Sequence, residues 1–346
     1  MPTLKSKLGS WEVPHLHMWK DRQARIRFEK RPLILPETRI ATIGSCFAAE
    51  IAAAMERLQM RGAMHPTGLF YNTRSIRQEL ERIFGGWKAY REEPYWKVKG
   101  GYVHPFKENY HVWKTEDELR AWSDDLDHKA EDLFRNANVV VATLGLIEAW
   151  MQPSNGNYYR QIPHPDVFPT LGAKFTRLSV REMVEDLVAI RELLLKHTGA
   201  KLILTVSPIP LQATMTPYDI RVANTESKTR IRAAVSEFID AYPDVNYFHS
   251  YEMVMTAERL SDFMLEDGRH VNRPAVEYIL SEFLAQYAGP GVSVPVVDTS
   301  WLTAPSKTAA RVTHRWTQKY PALDRALVSA WQTLPSEVRS TIKKVL

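Results

Sequence analysis

The sequence predicts an α/β fold: a three-layer sandwich around a mainly parallel sheet. Two observations carry this. Short apolar, β-branched runs at the start of Arg39–Glu50, at Asn138–Gly145 and at Lys201–Val206 read as buried strands. Segments of helical composition or period separate them, and strands alternating with helices argue for a parallel sheet covered on both faces.

In chain order, residues 1–38 carry Trp11, Trp19, Pro14, Pro32 and Pro36 and read as an irregular N-terminal arm. After the first strand, Ala48 to about Gln59 is rich in Ala, Glu, Met and Leu and favours helix. Met64–Asn72 reads as a loop, and Ser75 as the cap of the next helix. Residues 85–115 form an aromatic insertion that serves either as a covering layer or as a substrate wall. Glu116–Arg135 reads as a helix and 151–178 as loop-rich. Ser179–His197 places Met183, Leu187, Ile190 and Leu194 on one helical face before the Gly199 stop. A helix over Asn224–Tyr242, a strand over Val245–Phe248 and a helix over Pro274–Tyr287 follow. Residues 39–290 thus form the main domain. Residues 291–346 form a linker and tail, with helices at Leu323–Thr333 and from Pro335.

Composition narrows the function. The hydrophobic fraction is 45% and the charged fraction 25%, ordinary for a globular protein. Net charge is +5, from 45 basic and 40 acidic residues, without basic runs interleaved with aromatics. Nucleic acid is therefore not an expected partner. No apolar run approaches a membrane span, and the N-terminal residues lack the apolar core of a secretory signal. One cysteine excludes an intramolecular disulfide and a cysteine-based zinc site, and a reducing cytoplasm is the expected compartment.

That cysteine sits in Gly44-Ser45-Cys46, where a strand must turn into a helix N-terminus. Such a turn lowers a thiol pKa and aims backbone N–H groups at a developing oxyanion. Two nucleophiles compete there, Ser45 and Cys46. Asp267-x-x-His270 supplies a carboxylate that can fix an imidazole tautomer and leave the other ring nitrogen for a nucleophile. Metal ligation by His270 lacks partners at useful spacing, so no metal is expected.

Ile43-Gly44-Ser45-Cys46-Phe47-Ala48 resembles the motif of the GSCFA-domain proteins, a branch related to the SGNH (GDSL-like) hydrolases. The resemblance continues through Pro66–Asn72, Thr143–Trp150, Val206–Pro210, Asn224 with Ser227 and Lys228, Tyr247–Glu252 and Asp267–His270, over roughly residues 35–290. It implies a flavodoxin-like sheet bearing an ester-cleaving or acyl-transferring site. Laid on the superfamily's Gly-Asp-Ser pattern, Cys46 falls in the nucleophile's place, with His270 as base and Asp267 orienting it. In the rival register Ser45 attacks. The superfamily's oxyanion hole implies Gly68 as a second donor. Gly145-Leu146-Ile147-Glu148 stands where Gly-x-Asn-Asp would, so the third donor is missing and Asn72 is the candidate replacement, its alternative being a turn residue. Glu148 either binds a substrate hydroxyl or holds a neighbouring loop, and His65 is expected to be structural.

The function expected is therefore an esterase or O-acyltransferase with a Cys (or Ser)-His-Asp triad and a covalent acyl-enzyme. Its substrate would be a small-molecule or carbohydrate-like ester. No cofactor is required, although an acyl donor such as acetyl-CoA fits a transferase. The rival is a non-catalytic glycan- or lipid-linked-ligand-binding protein.

Overall fold

The computed structural model describes residues 26, 28–87, 90, 93–107, 111–257 and 259–303. Most of the arm and the tail helices expected at Leu323–Thr333 and from Pro335 lie outside the described residues. The chain divides into two units, Met1–Asp298 and Thr299–Leu346.

In the first unit, β1 (Ile40–Gly44) runs into α1 (Cys46–Arg57), β2 (Gly62–Met64) and α2 (Thr73–Ile83). The insertion contributes the antiparallel hairpin β3 (Trp96–Val98) and β4 (Gly101–Val103) before α3 (Glu116–Arg135). Next come β5 (Val139–Leu144), β6 (Glu148–Met151), β7 (Tyr158–Tyr159), the short α4 (Phe168–Leu171) and β8 (Lys174–Arg177). The unit continues through α5 (Val180–His197), β9 (Lys201–Val206), α6 (Ile220–Ala241), β10 (Asn246–Phe248), α7 (Ser250–Met255) and α8 (Arg273–Tyr287). In the second unit Ser300–Thr303 form a short helix, α9.

The main sheet has the order β10-β9-β5-β1-β2, every pair parallel. Counted by entry into this sheet the order is 2-1-3-4-5, that of a flavodoxin-like doubly wound fold. Ala41, Ile43, Val140, Ala142, Leu202 and Leu204 face one side, into a core with Leu80 of α2, Leu187 and Ile190 of α5 and Val235 of α6. Side chains alternate along a strand, so Ile40, Thr42 and Val141 face the other way. There the apolar stripe of α1 (Phe47, Ile51, Met55) is buried, and Phe283 of α8 meets Phe248 edge-on at 5.2 Å. These are the three layers expected.

Three buried threonines on this second face are each spent on a structural bond. Thr42 Oγ1 donates to the Ala48 carbonyl (2.9 Å), Thr205 pairs with the Ser250 hydroxyl (2.6 Å) and Thr143 with Ser45. A buried hydroxyl without such a partner would cost roughly 1–3 kcal/mol.

The structure corrects several local expectations. α1 begins at Cys46 rather than Ala48, and Gly62–Met64 is an added edge strand. Asn72, not Ser75, caps α2: its Oδ1 accepts the Ser75 N–H at 2.9 Å. The stretch read as loop-rich holds an antiparallel sheet of order β7-β6-β8. The rings of Trp96, Phe106 and Tyr159 pack into a small core of their own, with Trp87 and Trp150 against it.

Candidate functional site

Open parallel sheets bind ligands beyond the carboxyl ends of the strands, where the strand order reverses. Here the reversal lies between β1 and β5, whose register pairs Gly44 with Thr143. Gly44-Ser45-Cys46 occupies that crevice. Gly44 has φ +134°, and a Cβ there would sit 2.2 Å from the Thr143 carbonyl oxygen, so the approach of the two strands admits only glycine.

The two competing nucleophiles are separated by this packing. Ser45 is buried, its N–H donates to Thr143 O (3.0 Å) and Oγ1 (2.7 Å), and its hydroxyl pairs with Thr143 Oγ1 at 2.9 Å. It belongs to the floor of the turn. Cys46, half-buried, is the first residue of α1, whose opening turn has no side-chain cap and no acidic residue. Its N–H and that of Phe47 are therefore left at the positive end of the helix.

Burial pushes the Cys46 thiol up, while its own backbone N–H and the charges of Arg269 and Lys228 pull it down and Glu50 pushes it up. Two cations thus act on the thiol through their charge, neither of them assigned a role by sequence reasoning. Lys228, on the buried face of α6, donates to the Gly145 carbonyl at 2.6 Å, and its neighbour Ser227 accepts the Ile147 N–H at 3.0 Å. Desolvation drives the Lys228 ammonium down to about 7, opposed by the charge of Cys46.

Asp267 and His270 meet as expected. Oδ2 of Asp267 lies 2.6 Å from Nδ1 of the half-exposed imidazole, and Oδ1 accepts the backbone N–H groups of Arg269 and His270, both at 2.9 Å. These hydrogen bonds, that from the His270 ring first, hold the carboxyl well below the usual carboxylate range. The Nδ1–H tautomer that this pairing favours leaves Nε2 as an acceptor, and Nε2 receives Arg269 at 3.2 Å. No described hydrogen bond joins His270 to Cys46. From this loop it is the Arg269 guanidinium, its Nε buried without a hydrogen-bond partner, whose charge acts on the thiol.

The side donors expected for an oxyanion are engaged elsewhere. The Gly68 N–H closes a turn onto His65 O (3.1 Å), and the Gly145 N–H donates to Tyr71 O (2.8 Å). Asn72 Nδ2 donates to Glu148 O at 3.2 Å while its Oδ1 caps α2, which is the structural alternative. Glu148 holds a loop: its carboxylate accepts the Thr214 hydroxyl and the Met215 N–H. His65 is buried, bonded to Glu79 at 2.8 Å, and lies in the fold's ionic core. Among the described residues no cluster of three His, Cys, Asp or Glu can hold a metal ion, and no helix is long and apolar enough to cross a membrane.

Fold and site together define a doubly wound three-layer α/β protein with a half-buried cysteine at its topological switch point, on which the charges of two cations act. Residues 39–283 match the GSCFA family, and the chain belongs to that family. No curated protein matches it.

Proposed function

We propose that the chain is an acyl-group enzyme, an esterase or O-acyltransferase that works through a thioester on Cys46. The observation that carries this is the contrast between Ser45, locked beneath the turn, and Cys46, half-buried at the uncapped start of α1. Its sulfur attacks an ester carbonyl, and the oxyanion that forms is received by the N–H groups of Cys46 and Phe47. Asp267 holds the His270 tautomer, and His270 handles the protons of the leaving and incoming oxygen atoms. A relation to the SGNH hydrolases fits this chemistry. Carbohydrate or natural-product esters are the substrates proposed, with transfer to an alcohol as accessible as hydrolysis because a thioester is an activated acyl carrier. An activated thioester such as acetyl-CoA would then serve as acyl donor.

A second function has a specific observation behind it. Gly68, Asn72 and Gly145 are all engaged in the protein's own hydrogen bonds, which suits a binding protein that performs no chemistry. Intact mass after exposure to a nitrophenyl ester separates the two. Acylation of Cys46 that disappears in Cys46→Ala, with turnover falling roughly 10⁴-fold or more, supports the enzyme. Acylation of Ser45 overturns the nucleophile assignment, and labelling of neither residue favours the binding protein.

A further inference from the structure

Lys228 stands out among the buried charged groups because no carboxylate accompanies it among the described residues. The amine is fixed in place by α6, which docks Ser227 and Lys228 on the connection after β5, with Nζ on the Gly145 carbonyl. Gly145 in turn lies against the nucleophile turn: a Cβ added there would stand 3.5 Å from the Cβ of Ser45. The amine is thus anchored to the residue that abuts Cys46's own neighbour. Cys46 is the acidic group whose charge acts on it, and Lys228, Arg269 and Glu50 are the charged groups that act on Cys46.

We infer that Lys228 is the proton acceptor for the Cys46 thiol, a role that rests on the acyl-group function proposed above. The other basic groups near the site are less suited to it. Arg269 does not deprotonate in proteins. His270 is half-exposed, with Nε2 turned to Arg269. Burial brings Lys228 to about 7, so the neutral amine is available near neutral pH.

The protons then follow two separate routes. As Sγ bonds to the acyl carbon, the thiol proton passes to the Lys228 amine and the carbonyl π pair becomes the oxyanion. Collapse of the oxyanion breaks the bond to the leaving oxygen, and His270, released from Arg269 and protonated at Nε2 from solvent, gives that proton to the departing alkoxide. In the second half, neutral His270 takes the proton of the incoming alcohol or water. The departing thiolate recovers its proton from the Lys228 ammonium, and both groups end as they began.

One cysteine in the chain makes alkylation a report on a single thiol. For the unmutated full chain, the rate of alkylation by iodoacetamide against pH is expected to show an inflection near 7, from Lys228, below the step of the thiol itself. A single step at or above the ordinary thiol value of about 8.5 overturns the inference. In Lys228→Met the lower inflection disappears and alkylation near neutral pH falls about tenfold or more, since one pKa unit is tenfold in thiolate. A change under about twofold assigns Lys228 to packing alone. Lys228→Arg keeps a charge beside the thiol without a usable base, so alkylation is retained while nitrophenyl-ester turnover falls by about 10²-fold or more. Retained turnover in that variant overturns the inference. Absent ester turnover in the unmutated chain, together with an intact alkylation inflection that Lys228→Met removes, overturns the acyl-group function and leaves the Cys46–Lys228 pair standing.

Discussion

Among the described residues a lysine is buried beside titratable partners in two places, and only one of them is balanced. Between α2, α3 and the insertion, Lys107 donates to the Ser123 carbonyl (2.9 Å) and to Asp127, which also accepts the Tyr90 hydroxyl (2.9 Å) and lies 3.2 Å from Arg82. Arg82 in turn meets Glu79 at 2.6 Å, and Glu79 meets His65. Every cation there has a carboxylate. At the switch point Lys228 has a carbonyl and, through its charge, a thiol. Burial lowers both ammonium groups, and Asp127 offsets it at Lys107 where no carboxylate does so at Lys228. A closed network is how a fold makes internal charge tolerable. A buried amine without a counter-ion gives up its proton near neutral pH and so becomes available as a base.

The comparison breaks most sharply at Glu79. Arg82 and His65 hold its carboxyl well below the usual range against burial, so Glu79→Ala takes from the buried guanidinium its nearest carboxylate, leaves it Asp127 at 3.2 Å, and is expected to cost about 2–3 kcal/mol in chemical denaturation. The folded pKa is depressed. The stabilisation from ionised Glu79 is therefore complete above the unfolded value of about 4.3 and is lost as pH falls toward the folded one. The unmutated protein is expected to weaken in acid, and Glu79→Gln to flatten that slope.

Lys228→Met is expected to act with the opposite sign. Because the folded pKa of about 7 lies below that of a free lysine, the charged form is penalised. That penalty is full below 7 and fades as pH rises toward about 10.4. The substitution should therefore raise stability at about pH 6 by up to ~4 kcal/mol and by less at about pH 9. Lys107→Met, which strips a cation from Asp127, should lower stability at both. A stability loss in Lys228→Met at low pH would show that the two lysines are equivalent. The smallest effect is at Ser45. Ser45→Ala leaves Thr143 one partner short and should cost about 1–2 kcal/mol in thermal unfolding while leaving Cys46 alkylation near its unmutated rate.

How much of this was legible beforehand differs by element. Lys201–Val206 and Glu116–Arg135 emerge with the bounds expected, because their apolar and capping patterns are local. The α2 cap differs from the one expected because Asn72 and Ser75 are both capping residues three apart, the spacing of an N-cap to the N–H it accepts. Backbone dihedrals decide which of the two is the cap: Asn72 has φ −126° and ψ 161°. Short strands such as Tyr158–Tyr159 exist only by pairing with β6, a partner that local pattern cannot name.

The same division runs through the site. Sequence alone specified the alternating α/β order, the strand-to-helix turn that carries Ser45 and Cys46 and the Asp267–His270 contact, since each depends on neighbours within a few residues of chain. Tertiary structure decided the rest: that Ser45 is tied to Thr143, that Asn72 and Gly145 spend their donors inside the fold, and that Lys228 is buried with its amine on the Gly145 carbonyl. Those outcomes depend on which face of a strand or helix meets which neighbour some 70 to 100 residues away. Burial at such meetings sets the charge of a group, and no local pattern carries it.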